Sequence, residues 1–237
     1  MGKIVKNLLY ITIFLPLVLM LFCCDASEPE IVDVQWQINI IEKRDKTLFE
    51  ENLSLFVSVK DEDGESDIES LFILHDSSEL YWKFTKENWS ISKSDGEYWI
   101  GSSDIVMPDS SPIPRGEYRV VVYDASGAKA VFPIKIDTVV INPKRVSFPF
   151  IQGENQMIVL DSKLENVFTI LYDQHNRFMD SFVIEYDKTP IEQFPRYNDL
   201  SLQSKNKLFL YVWDSRKGYG VLSGPYIGLY DDATKAK

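Results

Sequence analysis

The chain has 237 residues, with 25 Lys plus Arg against 36 Asp plus Glu, for a formal charge of −11. A phosphate backbone is gripped by clustered Lys and Arg, so this acidic chain, which has no basic run, is not expected to bind nucleic acid. Its two cysteines are adjacent, Cys23 and Cys24, so no disulfide is expected to brace the fold and no thiol cluster to hold zinc.

The first element is a leader. Lys3 and Lys6 precede an uncharged apolar stretch, residues 8–22, interrupted only by Thr12 and Pro16. A helix of that length covers roughly 22 Å against a hydrocarbon core of about 30 Å, which suits a secretory h-region better than a permanent span. Leu21-Phe22-Cys23-Cys24 resembles the lipobox of bacterial lipoproteins, and bulky Phe22 suits the looser lipoboxes of spirochaetes. Carried over by position, the resemblance makes Cys24 the acylated new N-terminus. Cys23 is the alternative, disfavoured because Phe22 would then sit at the cut. An uncleaved signal anchor and plain secretion, with cleavage near Ala26, are the other readings. Two or three acyl chains, at about 0.8 kcal/mol per buried CH₂, hold a protein on a bilayer firmly. Loss of Lys3 and Lys6 with the leader takes the formal charge to about −13, read as solubility and self-repulsion.

After a short linker, residues 24–29, the texture is that of strands. Val32, Val34, Trp36, Ile38 and Ile40 alternate with polar residues, and Leu53, Leu55, Val57 and Val59 do the same before Asp61-Glu62-Asp63-Gly64, a turn-forming cluster. Residues 68–75, 80–84, 98–100, 118–123 and 130–136 continue as short strand candidates. Residues 137–142 read as a last strand or a connector, and the domain boundary is placed there. The second half repeats the texture at 156–160, 167–172, 178–186, 208–213 and 219–222, and residues 231–237 are a polar tail.

Residues 120–127 (VVVYDASG) and 210–218 (LYVWDSRKG) echo each other, and residues 168–176 and 57–64 are further versions. Asp61 and Asp124 would then serve one half and Asp173 and Asp214 the other, as two related β-domains would show, although any β-protein reuses Asp and Gly at turns. Residues 57–73 look similar to early hairpins of bacterial Ig-like modules. The expected fold is all-β: an N-terminal signal helix (1–23), then two tandem immunoglobulin- or fibronectin-like β-sandwiches at 30–137 and 138–230.

Candidate sites are sparse. Asp61, Asp63, Glu65 and Asp67 alternate along a loop and would suit Ca²⁺, but Gly64 comes too early for an EF-hand and the twelfth position is Phe72, so a solvated hairpin turn is the first reading and metal the alternative. Residues 81–99 concentrate three of the five tryptophans. Trp82, between Leu80 and Phe84 on one strand face, is expected in the core, whereas Tyr81, Trp89, Tyr98 and Trp99 are candidates for a binding surface. His75 and His175 are the only histidines; no Gly-x-Ser-x-Gly elbow accompanies them, so they read as turn residues. No cofactor is implied.

The expected function is a lipid-anchored, non-catalytic protein of the bacterial cell envelope, on the inner or outer membrane, that binds or scaffolds a protein or glycan partner of envelope or host origin. A carbohydrate-binding module using residues 81–99 is the first alternative and an envelope hydrolase the second.

Overall fold

The chain is described by a computed structural model over residues 27–42, 49–94, 96–142, 145–155, 157–162, 166–185, 187–201 and 204–229. The leader, Cys23, Cys24 and the polar tail lie outside the described residues. Among the described residues no helix is long and apolar enough to cross a membrane.

Period-two alternation does become strands, and the fold is all-β. In chain order the strands are β1 (Glu30–Glu42), β2 (Phe49–Lys60), β3 (Ile68–His75), β4 (Leu80–Thr85), β5 (Ser90–Ser94), β6 (Glu97–Val106), β7 (Gly116–Asp124) and β8 (Lys129–Ile136). The second half contributes β9 (Phe150–Glu154), β10 (Met157–Asp161), β11 (Val167–Tyr172), β12 (Phe178–Ile184), β13 (Lys188–Pro190), β14 (Lys207–Asp214) and β15 (Tyr219–Tyr226). Residues 137–142 form a connector, and short 3₁₀ turns occupy Glu65–Asp67, Asp76–Ser78, Ile191–Gln193 and Tyr197–Leu200. Val32 leaves the buried face expected for it because the β1–β2 ladder shifts between Ile31 and Asp33; beyond the shift Ile38 and Ile40 are fully buried.

The strands assemble into three sheets. One runs β12-β11-β14-β15-β1-β2-β6-β5, a second β4-β3-β7-β8 and a third β13-β10-β9. In the first half, β1-β2-β6-β5 and β4-β3-β7-β8 share a core containing Leu53, Leu55, Val57, Ile73, Ile100 and Val120, all fully buried. Each such side chain contributes about 1.5–3 kcal/mol by leaving water. In the second half, β12-β11-β14-β15 and β13-β10-β9 enclose Leu171, Leu208, Leu210 and Val212. The order repeats: β9, β10, β11, β12, β13, β14 and β15 occupy the places of β1, β2, β3, β4, β6, β7 and β8, with no counterpart of β5.

The halves are not separate beads. β15 pairs in parallel with β1 through Asn39–Gly220, Ile40–Val221 and Ile41–Leu222, making one sheet continuous across both. Tyr219 and Val221 of β15 bury their side chains in the first core. At the seam the Gln37 amide donates to the Tyr211 hydroxyl, and Asn39 Nδ2 donates to Ser54 Oγ at 3.1 Å.

Candidate functional site

The aromatic residues at 81–99 do not converge. Tyr81 is 66% exposed on β4, whereas Trp99 is half-buried on β6, in the opposite sheet of the first half. Trp89 and Tyr98 are each only 8% exposed and belong to the first core, and burial pushes the Tyr98 phenol upward. Trp82 packs against that core too, its indole N–H donating to the Val106 carbonyl at 3.2 Å. These side chains are divided between filling the core and facing opposite sides of the sheets.

A continuous aromatic surface lies elsewhere. In β14, Leu208, Leu210 and Val212 point into the second core, which leaves Phe209, Tyr211 and Trp213 on the reverse face. The same parity in β11 puts Val167, Thr169 and Leu171 inside and Phe168, Ile170 and Tyr172 outside. The reverse-face rings interlock across strands. Tyr172 meets Phe178 edge-on at 6.2 Å and Phe209 at 5.8 Å, and Phe168 lies 6.5 Å from Tyr211. Phe168, Phe178, Val183 and Trp213 remain more than two-fifths exposed. Burial raises the pKa of the Tyr211 phenol, against the hydrogen bond from Gln37, which lowers it.

The matching face of the first half differs in chemistry. Its exposed positions on β4, β7 and β8 include Lys83, Glu117, Arg119, Lys129 and Lys135, which surround exposed Tyr81 and Val131 and an edge-on Phe72–Tyr123 pair with charge. The signal for the second-half patch was present in the sequence: residues 208–213 are apolar at every position, so both faces of one antiparallel strand are apolar and the face away from the core must be a patch or be covered.

The acidic loop divides as well. Asp61 follows β2 and closes its turn through the Asp63 amide, which donates to Oδ1 at 2.9 Å, and the Gly64 amide, which donates to the Asp61 carbonyl at 3.1 Å. Asp63 Oδ2 accepts from the Ser27 amide at 2.8 Å, and Glu65 pairs with Lys93 at 2.8 Å. Asp67, at the end of its 3₁₀ turn, is brought to Asp61 and to Asp124, a residue from the far β7–β8 turn; one carboxylate oxygen of each lies within 4.8 Å of the others. Alongside lies an open cleft of about 620 Å³, lined by Glu28, Glu30, Glu62, Glu65 and Glu97 with Lys60 as its basic residue.

His75 and His175 lie in different halves. His75 is 3% exposed, stacked 4.5 Å from the Tyr118 ring, with Ser77 Oγ 3.2 Å from Nε2. A Ser-His pair needs an acid on the other ring nitrogen to act in acyl transfer. Here Nδ1 is buried without a partner, and neighbouring Asp76 is held by Arg119 at 2.7 Å, whose hydrogen bond lowers the Asp76 pKa. His175 sits exposed in the β11–β12 turn beside Gln174.

Against protein-family models and against curated proteins of known sequence, the chain finds no match.

Proposed function

We propose that this is a lipid-anchored, non-catalytic protein of the bacterial cell envelope that binds a protein partner through the reverse face of β12-β11-β14-β15. The observation that carries the reading is the aromatic face of Phe168, Tyr172, Phe178, Phe209, Tyr211 and Trp213, which spans β12, β11 and β14, interlocks through Tyr172–Phe178, Tyr172–Phe209 and Phe168–Tyr211, and is open to solvent at its margins. Aromatic side chains bring large area at low rotamer cost and dominate protein interfaces. Interleaved Ile170, Val183 and Leu222 make the face apolar in both directions, as a protein partner requires. Stacking on sugars needs ring faces presented flat, whereas Tyr172, Phe178 and Phe209 meet edge-on.

Two tandem Ig-like sandwiches, residues 30–137 and 138–230, are the architecture we infer. The order β1-β2-β6-β5 opposite β4-β3-β7-β8 supports it, since Ig-like domains set four such strands against a sheet built on the third, sixth and seventh. So does Tyr118, buried near the start of β7, whose hydroxyl donates to the Pro114 carbonyl at 2.8 Å in the manner of a tyrosine corner.

Anchoring through Cys24 rests on the lipobox-like leader. Palmitate labelling of cells tests it, with label expected on the parent and absent from Cys24→Ala; label persisting in the variant would move the anchor to another residue, and an unlabelled parent would remove it. Protease treatment of intact cells then assigns the face of the membrane. Chemical cross-linking in the native host tests binding: a discrete adduct is expected, and Phe168→Ser with Trp213→Ser should abolish it while leaving the far-UV spectrum unchanged. An adduct that persists in the double variant refutes the assigned face.

A further inference from the structure

We infer that Asp61, Asp67 and Asp124 form a divalent-cation site whose occupant is Ca²⁺. The inference goes beyond envelope binding and does not depend on it.

Asp124 carries the argument. Only 1% exposed, it uses Oδ1 to accept from the Ala128 amide and from Ser126 Oγ, each at 2.8 Å, and so closes the β7–β8 turn. Its Oδ2 is buried without any donor, and so is Asp61 Oδ2. A carboxylate oxygen removed from water and left unpaired is costly, and two more carboxylates within 4.8 Å raise that cost by like-charge repulsion. Among the described residues, the ion pairs reach none of the three. Nearby Lys93 is committed to Glu65 and Lys86 to the Ser66 carbonyl. The arrangement lacks one thing, a positive charge at the centre.

The donor set selects the ion. Three carboxylates without sulfur or imidazole suit a hard cation. Oxygens within 4.8 Å of one another can share a Ca²⁺ at about 2.3–2.6 Å, whose flexible coordination accepts an irregular donor set, whereas Mg²⁺ at about 2.0–2.1 Å demands an octahedron. Backbone bonds already fix the frame: the Ala125 amide donates to the Asp67 carbonyl at 2.9 Å and ties the two loops together. The remaining ligand positions fall to water, so affinity belongs with extracellular calcium modules, with Kd of about 0.1–1 mM. Acidic walls in the adjoining cleft raise the local cation concentration.

The full-length chain in detergent, stripped with EDTA, is the material for the test. Adding CaCl₂ to about 50 times Kd should shift the folding equilibrium about 50-fold and raise the melting temperature by about 5 °C or more. MgCl₂ at the same concentration should give a smaller shift, and NaCl at matched ionic strength none. Asp124→Asn, which keeps an oxygen for the turn, and Asp67→Asn should each lose the calcium shift, and Asp63→Asn and Glu65→Gln should keep it. Should Asp124→Asn fail to fold, Asp67→Asn decides, because that side chain is half-exposed and forms no turn bond. No shift in the parent up to about 10 mM Ca²⁺, an equal shift from NaCl, or a full shift in Asp67→Asn would each overturn the site.

Discussion

Asp173 closes the β11–β12 turn by accepting from the Arg177 amide at 2.9 Å, from the Arg177 guanidinium at 2.7 Å and from the His175 amide at 2.8 Å. The Arg177 amide is the largest cause holding its carboxyl down to about 2, from 3.8, with the guanidinium and the His175 amide adding to it against desolvation. A depressed folded value means stability that is fully present above about pH 4 and lost as pH falls towards 2. Urea midpoints for the parent should therefore drop over that interval, and Asp173→Asn should flatten the slope there; an unchanged slope would contradict the turn geometry. Such turns are legible in sequence because Asp and its amides lie within four residues. The Glu51–Arg115 pair is not. It joins residues 64 apart: Arg115 reaches Glu51 Oε2 at 2.9 Å and the Thr138 carbonyl at 3.1 Å, while the Ile113 amide donates to the same Oε2 at 3.0 Å. Glu51 is 4% exposed and the Arg115 side chain 15%, so Glu51→Ala leaves a mostly buried guanidinium with carbonyl acceptors alone, strands the Ile113 amide, and should cost about 3 kcal/mol in chemical denaturation.

At the scale of elements, strands with one clean polar face declare themselves, and those whose pairing comes from a neighbour do not. β5, with sequence SISKS, has little apolar content and exists by pairing with β6; β13 is three residues long and, among the described residues, pairs with β10 alone. The outer face of β14 is illegible for the opposite reason, since an unbroken apolar run states that a strand is buried without saying which side is left over. Trp89 and Tyr98 show the same ambiguity: a dense aromatic segment is equally a core or a surface until the parity of each strand is known. Close packing between elements is equally silent. Gly101 lies against β2 so tightly that a Cβ there would stand 2.1 Å from the Leu55 carbonyl oxygen and 2.7 Å from the Phe56 Cα, both backbone atoms unable to swing aside. Gly101→Ala should therefore destabilise by about 3 kcal/mol, read as a lowered denaturation midpoint, though the position is fully surrounded by strand. A midpoint within error of the parent would mean that β2 and β6 yield more readily than their ladder suggests.

Across the whole molecule, the repeated strand order matches some of the echoing turns and not others. Asp124 and Asp214 end β7 and β14, which hold equivalent places, whereas Asp61 follows β2 and Asp173 follows β11, which do not; by position Asp173 corresponds to Asp76 after β3. The joint between halves left no trace in any local pattern, because a parallel pairing brings residue 39 beside residue 220. That joint is narrow yet consequential. Three residue pairs connect β1 to β15, and Tyr219 and Val221 complete the first core from the far end of the chain, so neither half is whole without the other. Gly220 is the hinge of the arrangement: a Cβ there would meet Asn39 Oδ1 at 2.3 Å and the Tyr211 ring at 2.6 Å, both held in the polar network of the seam. Calorimetry of the parent should show one cooperative transition. Gly220→Val should split it in two as β15 parts from β1, with the first half melting earlier because Tyr219 and Val221 no longer seal its core. Two transitions already in the parent would mean that the two cores are stable independently and that the continuous sheet only juxtaposes them, and a Gly220→Val variant that melts once at the parent temperature would mean that the seam accommodates the added side chain.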